Sequence, residues 1–232
     1  MPDGLTLDKS SGAISGTPTK AASASVTITA PPQGTTTKNQ QTFTLTIHKG
    51  AADLGTLKVT NGGTKTTTFT YGDTITVSGT IKASGTAPQA NTLAAPGKNQ
   101  AALLLGGTQL TDPVAVAGNG SFTISYKTSE KGIQTTGQAQ ILTVKYGGSD
   151  DLNEGSAACS ITLNPKKVQA EVDGAITKPF DQTAKAHVTL KLAEGALVNS
   201  SDDVTVSAPD AAYEKTDVGN DIAINLGTLQ VD

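Results

Sequence analysis

The sequence has no tryptophan, no arginine and a single cysteine among its 232 residues. Arginine is the usual fork for phosphate and carboxylate, and all 17 basic residues here are lysine, within a net charge of -3. A nucleic-acid binder carries a basic excess gathered into a patch. This chain has neither, so no nucleic-acid partner is expected. Aromatic residues make up 3% of the chain, four Phe and four Tyr, which leaves little from which to build a platform that stacks sugars. Cys159 has no partner for a disulfide within the chain. Its neighbours Ser160-Ile161-Thr162 supply no cation to activate a thiol, so it reads as a small apolar residue of a core or sheet edge. No run of about 18 apolar residues occurs, so no membrane insertion is expected.

What is abundant is β-branched: 37 threonines, with Val and Ile common. Such residues fit pleated, half-buried surfaces better than helix interiors. Apolar and polar residues alternate in many short runs, the mark of half-buried strands. Phe43, Leu45 and Ile47 alternate with Thr42, Thr44 and Thr46. The same holds for Ile75, Val77 and Ile81, for Phe122, Ile124 and Tyr126, for Leu142, Val144 and Tyr146, and for Val188, Leu190 and Leu192. Between them stand Asn61-Gly62-Gly63, Gly106-Gly107, Gly118-Asn119-Gly120 and Gly147-Gly148, which are turn chemistry. Many short strands between such turns predict sandwiches, and no amphipathic helix is expected. Thr86 to Gly97 is Ala/Pro-rich, has no period and reads as a long loop. Strands that end in His48-Lys49-Gly50 and in Asn164-Pro165-Lys166-Lys167 place domain boundaries near residues 50 and 166, where short polar connectors would join tandem domains.

Three resemblances follow. Pro2-Asp3-Gly4-Leu5-Thr6-Leu7-Asp8, then Ser11-Gly12-Ala13-Ile14-Ser15-Gly16-Thr17-Pro18, resembles the putative-Ig, cadherin-like repeat of bacterial surface proteins. That family has strands ahead of this motif, so residues 1–49 are expected to be a truncated domain. Residues 50–165 look like a bacterial Ig-like repeat, on Thr70-Tyr71-Gly72-Asp73-Thr74-Ile75, Asn119-Gly120-Ser121-Phe122 and Leu142-Thr143-Val144-Lys145-Tyr146-Gly147-Gly148-Ser149-Asp150-Asp151. Residues 166–232 resemble the repeat named for Tyr-Asp-Gly. Phe180-Asp181-Gln182 stands where that family has its motif, and the domain is expected to stop before its last strand. The resemblances imply an all-β fold of tandem immunoglobulin-like β-sandwich domains, in series with neighbouring Ig-like repeats.

Chemistry is sparse. A serine hydrolase needs a nucleophile, a base and an orienter, and there are two histidines, His48 and His187, both expected to face solvent. Asp150-Asp151 and Asp202-Asp203 read as turn residues, since calcium needs six to eight converging oxygens. Zinc would need more Cys or His than the chain has. Lys58, Lys145 and Lys191 lie out of phase with their apolar neighbours, which argues against a lysine–asparagine cross-link. No catalytic residue, metal or cofactor is therefore expected.

The resemblances imply an extracellular location on a bacterial cell surface and the role of a structural spacer in an adhesin-like protein. An alternative is a module that binds a host extracellular glycoprotein such as a mucin, or an immunoglobulin. In that reading the loop residues Pro88, Asn91, Leu93 and Pro96 make the contact. A further alternative is an accessory part of a secreted carbohydrate enzyme.

Overall fold

The computed structural model describes residues 1–30, 39–84, 98–130 and 132–232, and among them every regular element is a strand. They form two compact units, Met1–Phe69 with Asp73–Asn164, and Pro165–Asp232 with Thr70–Gly72.

The first unit opens with a short antiparallel pair, β1 (Leu5–Leu7) and β2 (Ile14–Gly16). A Cβ on Gly4 would lie 2.1 Å from the Thr17 carbonyl oxygen, and one on Gly16 would lie 2.2 Å from that of Gly4. Only glycine permits this approach of two backbones. Asp8 closes the turn between the strands. Its Oδ1 accepts from the Ser10 amide at 2.8 Å and the Ser10 hydroxyl at 2.6 Å. These bonds, with others from Ser11, hold its carboxyl well below the usual carboxylate range.

Next comes a long ribbon, β3 (Ala22–Ala30) and β4 (Asn39–Ile47), paired through nine consecutive positions. Period-2 alternation gives it two unlike faces. Val26 is buried, and Phe43, Leu45 and Ile47 are half-buried. The opposite face carries Ser23, Ser25, Thr27, Thr42, Thr44 and Thr46, all exposed. Hydroxyls meet across it, Ser23 with Thr46 at 3.2 Å and Thr27 with Thr42 at 2.9 Å.

The rest of the unit is a sandwich. Its strands are β5 (Ala52–Asp53), β6 (Lys58–Asn61), β7 (Thr64–Lys65), β8 (Thr68–Thr70), β9 (Thr74–Thr80), β10 (Lys82–Ala83), β11 (Gln100–Leu105), β12 (Thr108–Gln109), β13 (Val114–Ala115), β14 (Ser121–Lys127), β15 (Ala139–Tyr146) and β16 (Gly155–Asn164). One sheet runs β12-β11-β15-β16-β8, with β13 also on β11, and the other runs β14-β9-β6-β7. β5 and β10 form a small pair of their own. Inward residues of both sheets make one core: Val59, Ile75, Val77, Phe122, Ile124 and Tyr126 from one, and Phe69, Leu103, Leu142, Val144, Tyr146, Ile161 and Leu163 from the other. The alternation read from the sequence thus matches the observed burial. Each fully buried side chain of this size contributes roughly 1.5–3 kcal/mol. The Gly62-Gly63 and Gly106-Gly107 dipeptides join β6 to β7 and β11 to β12 as two-residue loops with φ > 0 at both positions, the geometry that matches strand twist.

The second unit holds β17 (Ala170–Val172), β18 (Leu190–Leu192), β19 (Val206–Ser207), β20 (Ala212–Tyr213), β21 (Ile224–Asn225) and β22 (Gln230–Val231). They pair as β17-β18, β19-β22 and β20-β21. The run expected as a strand from Val188 is regular only from Leu190, although Val188 still packs inward. The buried cluster here is Ala186, Ala208 and Ala211, with Val188, Leu190, Tyr213, Ile224 and Leu226 partly buried around it.

Candidate functional site

The loop residues singled out for protein binding, Pro88, Asn91, Leu93 and Pro96, lie outside the described residues. Within the described residues, the densest polar construction of the first unit surrounds residues 48–50 and the turn 147–153.

The turn is built from below. Tyr146 is fully buried at the end of β15, and its hydroxyl donates to Asn99 Oδ1 at 2.8 Å. Asn99 is 2% exposed at φ 59, and its Nδ2 donates to the Val116 carbonyl at 3.0 Å. The Asn99 amide donates to the Gly148 carbonyl, and the Val116 amide to the Asn99 carbonyl, both at 2.8 Å. A buried polar side chain is tolerated only when its groups are paired, and Asn99 meets that demand while tying three segments together. Burial pushes the Tyr146 phenol above its ordinary range. The next layer is Ser149, whose amide donates to the Leu152 carbonyl at 2.9 Å while its hydroxyl oxygen accepts the Leu152 amide at 3.0 Å. Leu152 is buried in the sandwich core.

This anchored turn grips the connector. Lys49 Nζ donates to the Ser149 carbonyl at 2.6 Å. The Gly50 amide donates to the Asp151 carbonyl at 2.9 Å, and the Asn153 amide to the Gly50 carbonyl at 2.8 Å, a parallel bridge between Gly50 and Leu152. On the other side, Asp151 Oδ1 accepts from the Ala21 amide at 2.8 Å, just ahead of β3. A carboxylate acceptor makes this a charge-assisted bond, about twice as strong as a neutral one. The start of β3 and the exit from β4 are therefore both fixed to one turn of the sandwich. Asp150 points to Lys98 at 2.7 Å, and that bond lowers its pKa. Both groups are about half exposed, so this pair adds little.

The other residues considered for chemistry lie apart from this turn. His48 and His187 are exposed, as are Lys58, Lys145 and Lys191. Cys159 is half-buried against the core, and desolvation raises its thiol pKa. Asp202 caps a turn through Asn199, whose amide donates to its Oδ2 at 3.4 Å.

In the second unit, Lys178 organises the segment that stands in place of Tyr-Asp-Gly. Its Nζ reaches Asp181 Oδ1 at 2.7 Å, the Thr183 carbonyl at 2.7 Å, Thr183 Oγ1 at 2.9 Å and the Lys185 carbonyl at 3.0 Å. It also lies 5.7 Å from the centre of the Tyr213 ring. Asp181 Oδ1 accepts from the Thr183 amide and hydroxyl, both at 2.9 Å. Lys178 first, then Thr183, draw the Asp181 pKa down to about 2. Gln182 sits at φ 60, the left-handed conformation that glycine adopts freely, which is a physical reason for glycine at this place in the motif. Beside this knot opens a cleft of about 720 Å³, with Phe180 and Val218 on its lining. The sequence reading gave Lys178 no role, although its spacing of three from Asp181 was the available signal.

The fold is a series of small β-modules, and the comparisons agree with it. Residues 1–48, which hold the Gly4–Gly16 contact and the ribbon, match the family model described as a putative Ig domain. Residues 164–232, which hold the Lys178 knot, match the one described as a YDG domain. Modules of these kinds are found in surface or adhesin-like proteins. Searches of curated proteins and of solved structures find no match to the chain. No helix among the described residues is long and apolar enough to cross a membrane.

Proposed function

We propose that the chain is a non-catalytic spacer of an extracellular bacterial adhesin-like surface protein, a stretch of small sandwich modules in series that carries other parts away from the cell. The boundaries that go with this reading lie near residues 50 and 166. The observation that carries it is the grip of the 147–153 turn on both ends of the β3–β4 ribbon, through Ala21, Lys49 and Gly50. A spacer must resist bending where its modules meet, and hydrogen bonds at both ends of the ribbon, main-chain at Gly50 and through side chains at Asp151 and Lys49, supply that resistance.

Small-angle scattering on the 232-residue chain tests the reading, with Asp151→Ala as the comparison. A spacer keeps a narrow distribution of dimensions, and the variant broadens it. The same chain passed over immobilised mucin and immunoglobulin should emerge unretained. Specific capture by either, lost on deletion of Ala90 to Ala95, would replace the spacer with a binding module.

A further inference from the structure

Two Asn-Gly dipeptides sit in turns of the sandwich, Asn61-Gly62 between β6 and β7 and Asn119-Gly120 between β13 and β14. An asparagine ahead of glycine is prone to lose ammonia, because glycine has no side chain to shield its nitrogen from the neighbouring carboxamide. The reaction needs a carboxamide free to turn and a glycine amide open to solvent base. Exposure of the asparagine alone points to Asn119, which is exposed where Asn61 is half-buried. The hydrogen bonds point the other way.

Asn119 is clamped. Its Oδ1 accepts from the Ser121 amide at 3.0 Å and from the Ser121 hydroxyl at 2.7 Å, which holds the carboxamide in an Asx turn over residue 121. Gly120 is buried, its amide donates to the Ala117 carbonyl at 2.8 Å, and its carbonyl accepts from the Ile81 amide at 2.8 Å. Both reacting groups are therefore occupied. At the other turn neither is. Among the described residues, neither the Asn61 side chain nor the Gly62 amide makes a hydrogen bond. Gly62 and Gly63 are exposed, and a Cβ on either would meet nothing within 4 Å, so this turn has room to move.

We propose that Asn61 is a site of spontaneous deamidation, selected by the fold, and that Asn119 is protected from the same reaction. The Gly62 nitrogen gives its proton to solvent hydroxide and bonds to Asn61 Cγ, which closes a succinimide ring. The Cγ–Nδ2 bond breaks, and Nδ2 leaves as ammonia with a proton from water, which regenerates the hydroxide. Water then adds to either ring carbonyl and breaks its bond to the ring nitrogen, leaving an aspartyl or an isoaspartyl residue. Nothing is oxidised or reduced; water enters and ammonia leaves. The isoaspartyl product carries an extra main-chain methylene at the end of β6, at the Asn61–Thr64 pair that opens the hairpin. It sets β6 and β7 out of phase and adds a negative charge to the turn. The site is independent of the spacer reading, which stands whether or not Asn61 converts.

Peptide mass mapping of the folded 232-residue chain after incubation in mildly alkaline buffer is the test. Trypsin releases peptide 59–65, which holds Asn61, and peptide 99–127, which holds Asn119. Fragmentation of the second peptide separates a change at Asn119 from one at Asn99. Asn61 should show the mass increase of amide-to-acid conversion about tenfold faster than Asn119, the factor expected from the bonds that Asn119 must first break. A chain held unfolded in guanidinium should lose that preference, since both sites are then bare Asn-Gly. Ser121→Ala removes the hydroxyl donor and should speed conversion at Asn119 about fivefold, with Asn61 unchanged and a melting curve like that of the native chain. Asn119 converting as fast as Asn61 in the folded chain overturns the proposal. So does an Asn61 that stays intact over the time in which the unfolded chain converts. A preference that survives unfolding, or an Asn119 rate that Ser121→Ala leaves unmoved, overturns it as well, because the fold would then not be what selects the site.

Discussion

The Tyr146 hydroxyl donates to Asn99 Oδ1 across 2.8 Å, with both side chains sealed from solvent. The bond joins the end of β15 to the residue just ahead of β11, and the 147–153 turn stands on it. Tyr146→Phe keeps the ring and leaves the amide oxygen buried without its donor. The expected cost is about 1–3 kcal/mol, measured by urea denaturation of the native chain and the variant.

Asp151→Ala acts on the grip rather than the core. It removes the acceptor of the Ala21 amide but leaves Leu152 packed. Trypsin cuts after lysine, and Lys49 lies inside the gripped connector. Cleavage there should speed up by about tenfold or more, the factor expected from losing one charge-assisted bond, while the main thermal transition barely moves. Unchanged cleavage would mean that Asp151 does not hold the connector.

Acid should act on the Lys178 knot in a definite window. The folded pKa of Asp181 is about 2, below its ordinary 3.8, so its contribution is fully present above the ordinary value and fades as pH falls through the folded one. The second unit should melt at a steady temperature from neutral pH down to about 4, then lose stability between about 4 and 2. Asp181→Asn should flatten that acid limb. Calorimetry across this range is the check, and an acid limb that persists in the variant would assign it to another carboxylate.

Gln182 carries a left-handed backbone on an exposed turn. A non-glycine residue pays roughly 1–2 kcal/mol for that conformation, and glycine costs roughly 0.5–1 kcal/mol through the unfolded chain. Gln182→Gly should therefore raise the stability of the second unit by about 0.5–1 kcal/mol. A fall in melting temperature would show that the glutamine side chain contributes something that offsets its strain.

The sandwich was legible because its signals are local. Leu142, Val144 and Tyr146 alternate with Thr143 and Lys145, and the first three are fully buried. Glycine pairs marked both two-residue hairpins. The second unit was harder to read, since its buried cluster is alanine, which carries little pattern. The grip was invisible for a different reason. Asp151 reads as a turn residue and does sit in a turn, but its acceptor role depends on Ala21, 130 positions away. Asn99 gave no sign either: one polar residue within Lys98-Asn99-Gln100 becomes a buried hub only when β11, β15 and the Val116 segment meet around it.

The alanine cluster of the second unit has a mechanical consequence. Ala186, Ala208 and Ala211 bury few methyl groups, while Phe69, Leu142, Tyr146 and their neighbours bury many. Less area withdrawn from water means less free energy holding the unit closed. In a heating scan the second unit should give the lower of two transitions. In a tethered chain under shear it should be the element that yields first, and full extension of Pro165–Asp232 would span roughly 230 Å of contour length. An extension of that size absorbs a sudden pull before the sandwich feels the full load.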